Sequence, residues 1–145
     1  MSNAAQQDIS LSSSSEESFL AIITLAIQAD GIFSLAEKEV VRFTVQQIKI
    51  FQNYSQEQLV EKIQHTVEEI ATRGDEAVLT EAVQSLPDRL YNTVFTVVAD
   101  IITADGQITK KEADILNKIQ QALSISQNTA DKIIEVMKYK NYYLE

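Results

Sequence analysis

The sequence predicts an all-α protein of about seven helices, built as two related halves packed around two apolar central helices. Three observations lead there. Only 3 Gly and 1 Pro occur in 145 residues, too few for many strands and turns but suited to long helices joined by short corners. Two runs, "EESFLAIITLAIQA" and "RLYNTVFTVVADIITA", are apolar nearly all round, which is the pattern of a buried helix. The chain also repeats itself at an offset of 75 residues, with Phe19–Val41 falling on Val94–Leu116.

Taken in order, residues 1–15, ending in "SLSSSS", are polar and low in complexity and read as a mobile tail. A single helical domain is expected over 16–145. Its first apolar helix carries Phe19, Leu20, Ile22, Ile23, Leu25 and Ile27. β-branched residues could suggest a strand, but the run is about three turns long without a turn signal, and length decides for helix. Ser34 then precedes "LAEKEVVRFTVQQIKIF", with Val40, Val41, Phe43, Thr44 and Ile48 at helical spacing. Ser55 opens a helix whose stripe is Leu59, Ile63, Val67 and Ile70, stopped by Gly74. "DEAVLTEAVQSL" is shorter and ends at, or is re-aimed by, Pro87. The second apolar helix follows. Thr109 caps "KKEADILNKIQQAL", and Ser126 or Asn128 starts the last helix.

Composition narrows the function classes. A net charge of −9 leaves no Lys/Arg cluster able to neutralise several phosphates, so nucleic acid is excluded as a partner. The same charge disfavours an anionic membrane surface and suits cations or a basic partner surface. No apolar run approaches the ~20 residues of a membrane span, and the N-terminus lacks a basic region followed by an apolar run. A cytoplasmic protein is expected. The absence of cysteine removes disulfides and thiolate metal sites.

The repeat, read as 19–73 and 94–138, brings two corners into register: "IQADGIFSLAEKE" and "ITADGQITKKEAD". Ala29-Asp30-Gly31 falls on Ala104-Asp105-Gly106, Ser34 on Thr109, and Glu37 on Glu112. Backbone chemistry accounts for much of this. Each glycine can end a helix in the left-handed conformation, and each hydroxyl with its glutamate forms a capping box. A calcium loop is the other comparison. Gly106 at the sixth position puts Glu112 at the twelfth, but the first and third positions then fall on Ile101 and Thr103, and in the first copy on Ala26 and Gln28. Calcium needs acidic oxygens there, so an EF-hand is rejected. A divalent cation can still sit between the aspartate and glutamate of a corner. If the corners meet across a pseudo-twofold axis, Asp30, Glu37, Asp105 and Glu112 form one acidic cluster. Oxygen ligands favour calcium, magnesium or manganese, with zinc less suited. Glu39 and Asp114 lie about 200° further round their helices and are weaker candidates.

The doubled Ala-Asp-Gly, hydroxyl cap and glutamate, bracketed by apolar helices, resemble the TerB-like tellurite-resistance family over about Ser18 to Met137. The resemblance implies an all-helical fold of two similar halves and a role in tellurite resistance and stress response. It implies metal ligands at Asp30, Glu37, Asp105 and Glu112, and protein partners in a stress or tellurite-resistance complex that can be membrane-associated. The uncharged "IFSLA" corner and the polar N-terminal extension depart from the family pattern.

Three further features were weighed. Asp100 interrupts "VVADIITA" and belongs either to an exposed strip or to the surroundings of the corner. His65, the only histidine, is two residues from Ile63 and should face solvent rather than bind metal. Tyr139, Tyr142 and Tyr143 are expected to pack the C-terminus onto the body. With no cysteine, one histidine and no glycine-rich phosphate loop, the expectation is a non-enzymatic metal-binding or scaffold module. A metal-free interaction domain with an acidic surface is the alternative, and a metal-dependent hydrolase a remote third.

Overall fold

A computed structural model describes residues 2–28, 35–104 and 106–141, with 2–14 and 36–38 described as backbone alone. The chain forms α1 (Ser2–Ile27), α2 (Leu35–Gln46), α3 (Gln56–Arg73), α4 (Asp75–Ser85), α5 (Tyr91–Thr103), α6 (Lys110–Ala122) and α7 (Gln127–Lys140), with 3₁₀ turns at Lys49–Phe51 and Asp88–Leu90. No strand occurs among the described residues, and the expected all-α class holds.

Helix α1 is the axis of the molecule. Every residue from Phe19 to Ala26 is buried, Leu20, Ile22, Ile23 and Thr24 completely. A helix buried on all sides needs covering on all sides, and α2, α3, α4, α5 and α6 all pack against it. Thr24 tolerates this position because its hydroxyl donates to the Leu20 carbonyl at 2.8 Å, which satisfies the one polar side chain in the run. Helix α5 is the second central element and supports α6 and α7 as well as α1. It is less enclosed than its composition suggests: Val94, Phe95, Val98, Ala99, Ile102 and Thr103 are buried, whereas Thr96, Val97, Asp100 and Ile101 are only half-buried.

One helix starts early in the chain, and one stops short of expectation. Helix α1 begins at Ser2, within the polar segment 1–15. Ala4, Ala5, Gln6 and Gln7 are good helix formers, and once the buried turns have nucleated a helix each further residue adds one hydrogen bond. The helix expected to continue to Phe51 stops instead at Gln46. There the amides of Gln47 and Ile48 reach back only three residues, to Thr44 and Val45, and Ile48 turns extended at φ −96°, ψ 129°. The break swings Phe51 into the core, where it meets Phe19 edge-on at 5.7 Å between ring centroids. The Tyr54 hydroxyl donates to Glu16 just beyond.

The remaining boundaries follow from local chemistry. Ser55 and Gln58 make a reciprocal capping box at the start of α3. Gly74, at φ +89°, both closes α3 and opens α4. Leu86 is extended ahead of Pro87, as a residue before proline prefers. Ser126 caps α7 by accepting from the Thr129 amide at 3.2 Å.

The axial role of α1 makes a clear contrast in stability. Ile23→Ala, at a fully buried site, is expected to cost about 2–5 kcal/mol. Leu35→Ala, at a side chain 77% exposed, should stay within about 0.5 kcal/mol of the parent. Urea unfolding followed by circular dichroism measures both.

Candidate functional site at the corner between α5 and α6

The corner is built by the way α5 stops. The Ala104 amide reaches the Ile101 carbonyl at 3.3 Å and the Gly106 amide the Thr103 carbonyl at 3.1 Å, a tightened last turn. Gly106 then takes φ +83°. A Cβ there would meet nothing within 4 Å, so the preference for glycine is set by the backbone angle and not by crowding. The chain next runs extended through Thr109, at φ −74° and ψ 165°, into α6. Thr109 Oγ1 accepts from the Glu112 amide at 3.1 Å, and Glu112 Oε1 accepts from the Thr109 amide at 3.0 Å. The expected capping box is therefore formed. Glu112 Oε2 has no hydrogen bond among the described residues.

Of the four residues expected to form one acidic cluster, Glu112 alone has a described side chain. Asp30 and Asp105 lie outside the described residues, together with Gly31 and Ser34 of the first corner. Glu37 is placed only as backbone, in the first turn of α2. Among the described residues no group of three or more histidines and carboxylates is arranged to hold a metal ion. The weaker candidates are engaged elsewhere: Glu39 pairs with Arg42 at 2.6 Å, and Asp114 with Lys110 at 3.3 Å.

Asp100 has a role that sequence reasoning missed. Its Oδ1 accepts from Asn141 Nδ2 at 2.8 Å and from Lys140 Nζ at 3.1 Å. The Asn141 amide group also donates to Thr103 Oγ1 at 2.9 Å. The Thr103 hydroxyl itself donates to the Ala99 carbonyl at 2.8 Å. The end of α7 is thus tied to the last turn of α5, immediately before the corner. The available signal was the spacing: Asp100 and Thr103 are three residues apart in an otherwise apolar helix, and so share a face.

His65 is exposed, as expected. It borders an open cleft of about 370 Å³ between α1, α3 and α4. In that cleft Arg73 Nη1 donates to Glu81 at 2.7 Å and to Glu69 at 3.2 Å. The Arg73 guanidinium holds the Glu81 carboxyl below its ordinary value, and Arg42 does the same for Glu39. Of the C-terminal aromatics, Tyr139 departs from expectation. Tyr139 is 75% exposed, its hydroxyl donating to Glu135 at 3.3 Å. The aromatic packing expected of it is replaced by this polar contact one turn back, while Tyr142 and Tyr143 lie outside the described residues.

Among the described residues seven helices, two of them apolar and central, with a glycine-and-capping-box corner at the end of one of these, define a small all-helical module. Residues 16–135 match the sequence model of the family described as Tellurite resistance protein TerB. The match spans most of the chain, and the chain belongs to this family. No curated protein and no solved structure matches it significantly.

Two outcomes follow from these contacts. Thr109→Ala removes the hydroxyl half of the box and should cost about 1 kcal/mol in urea unfolding. On acidification the lowered glutamates set the sign: the Arg73–Glu81 and Arg42–Glu39 pairs survive below the pH at which free glutamates protonate. They are lost only as the pH falls through the lowered folded-state values. An NMR titration of the carboxyl carbons reads this directly, and Arg73→Met should return Glu81 to its ordinary value.

Proposed function

We propose that this TerB-family chain is a non-enzymatic cytoplasmic module of a tellurite-resistance or stress response. In this reading its acidic corners hold a divalent cation, and the pinned arrangement is what partner proteins of the response read. The observation that carries the cation reading is the division of labour at Glu112. One carboxylate oxygen completes the capping box, and the other has no hydrogen bond among the described residues. A carboxylate can therefore serve the helix and a ligand together. Asp105 and the corresponding Asp30 and Glu37 complete the proposed oxygen set, which suits calcium, magnesium or manganese better than zinc.

Two further points support a duplicated arrangement. Helices α2 and α6 begin at Leu35 and Lys110, the offset of the sequence repeat. Helix α3 packs on α1, and α7 on α5. The non-enzymatic reading rests on the residue inventory: no cysteine and a single histidine leave few routes to an activated nucleophile.

Thermal unfolding with each ion against a chelator tests the cation. An ion at about 100 times its Kd should add roughly 2.7 kcal/mol, a shift of several degrees for a domain of this size. Glu112→Gln keeps an N-terminal box partner, since glutamine serves there as well as glutamate, but lowers the charge offered to the ion. It should leave the ion-free melting temperature nearly unchanged and shrink the ion-induced shift, and Asp105→Asn should shrink it too. If no ion moves the parent protein, the cation is wrong and the metal-free interaction domain takes its place. That second reading is favoured by the uncovered apolar side chains of α2, Leu35 and Phe43 above all.

A further inference from the structure

Sequence periodicity places Val40, Val41, Phe43, Thr44 and Ile48 at helical spacing on α2, and the structure divides them. Val41 is fully buried, with Val45 one turn on. Phe43 is 63% exposed and Val40 46%, on the side of the helix away from α1, where Leu35 is 77% exposed. On the neighbouring helix α3, Val60 is 51% exposed. Single exposed apolar side chains are ordinary, but several on neighbouring helices mark a surface that something covers.

The charges around this surface indicate what covers it. An open groove of about 710 Å³ runs between α2 and α3, with Val60 in its lining and Glu39, Arg42, Glu57 and Glu61 along its sides. Glu39 and Arg42 neutralise one another at 2.6 Å. Glu57 and Glu61 are exposed and have no ion-pair partner among the described residues. Glu68 continues the same acidic row two turns further along α3, also exposed. The groove therefore offers Val60, with Phe43 one turn beyond Glu39 on the same face of α2, beside an acidic row that no described cation compensates.

We propose that the α2–α3 groove is the docking site for a basic amphipathic helix of a partner protein. Its apolar face lies on Val60 and Phe43, and its lysine or arginine flank meets Glu57 and Glu61. This is the helix-in-groove mode of recognition, with charge complementarity setting partner choice. A second copy fits less well, because an isologous contact brings the same patch against itself and sets Glu57 and Glu61 against their equivalents in chains of net charge −9. An anionic lipid surface meets the same repulsion. The proposal rests on the scaffold part of the function proposed above and needs no ion.

The experiment uses the full chain and a fluorescent leucine–lysine amphipathic helix of about five turns, titrated by anisotropy in chelator and again in magnesium. A leucine–glutamate helix is the control. The lysine helix should bind in both buffers, weaken as salt rises, and outbind the glutamate helix by about tenfold or more. Phe43→Ser should weaken it about tenfold. Glu57→Lys with Glu61→Lys should weaken it comparably and flatten the salt dependence. These side chains are exposed, so circular dichroism and melting should match the parent and any loss reads the surface alone.

Equal binding of the two helices, or parent-like binding by both variants, overturns the proposal. A concentration-dependent dimer in sedimentation that Phe43→Ser abolishes would assign the face to a second copy instead. Flotation with vesicles of phosphatidylcholine and phosphatidylserine, lost in the same variant, would assign it to lipid; either result overturns the proposal as well. Because binding is read with and without magnesium, its failure leaves the cation reading standing, and failure of the cation leaves this one standing.

Discussion

The burial of α1 on every side is the constraint from which the other helices take their places. From Phe19 to Ala26 no face of the helix is left to water, so five other helices must be delivered around it. The connections serve that end. The break after Gln46 turns Phe51 back onto Phe19, and the single residue Gly74 reverses the chain between α3 and α4 without a loop. A helix of this character would aggregate if left bare, which makes its cover, rather than helix propensity, the source of the order seen around it.

What the sequence disclosed follows from which features are local. The helix count, the caps at Ser55, Thr109 and Ser126 and the stop at Gly74 were legible because a cap or a glycine acts within one turn of itself. The burial of α1 was legible because no polar face interrupts it. The split of α2 was not, since Val40, Val41 and Phe43 are all apolar and only tertiary packing decides which of them meets α1. The break at Gln46 was hidden likewise: its cause is the pull of Phe51 into the core, a partner more than thirty residues away in the chain at Phe19.

The site was legible in part for a related reason. The box between Thr109 and Glu112 is a local pattern and forms as read. Whether carboxylates from two corners converge is a long-range question that spacing alone does not answer, and Asp30 and Asp105 lie outside the described residues. The role of Asp100 was missed because its partners, Lys140 and Asn141, stand forty residues away at the far end of α7. The family match supplies what periodicity lacks, a likeness drawn over residues 16–135 at once.

The knot of Asp100, Thr103 and Asn141 has a mechanical consequence. It ties the end of α7 to the turn of α5 from which the corner departs. A disturbance of that corner has a short lever to the C-terminal end of the chain, through hydrogen bonds of 2.8 and 2.9 Å rather than through the bulk of the core. The last turn of α5 and the end of α7 are therefore polar neighbours although some forty residues separate them along the chain.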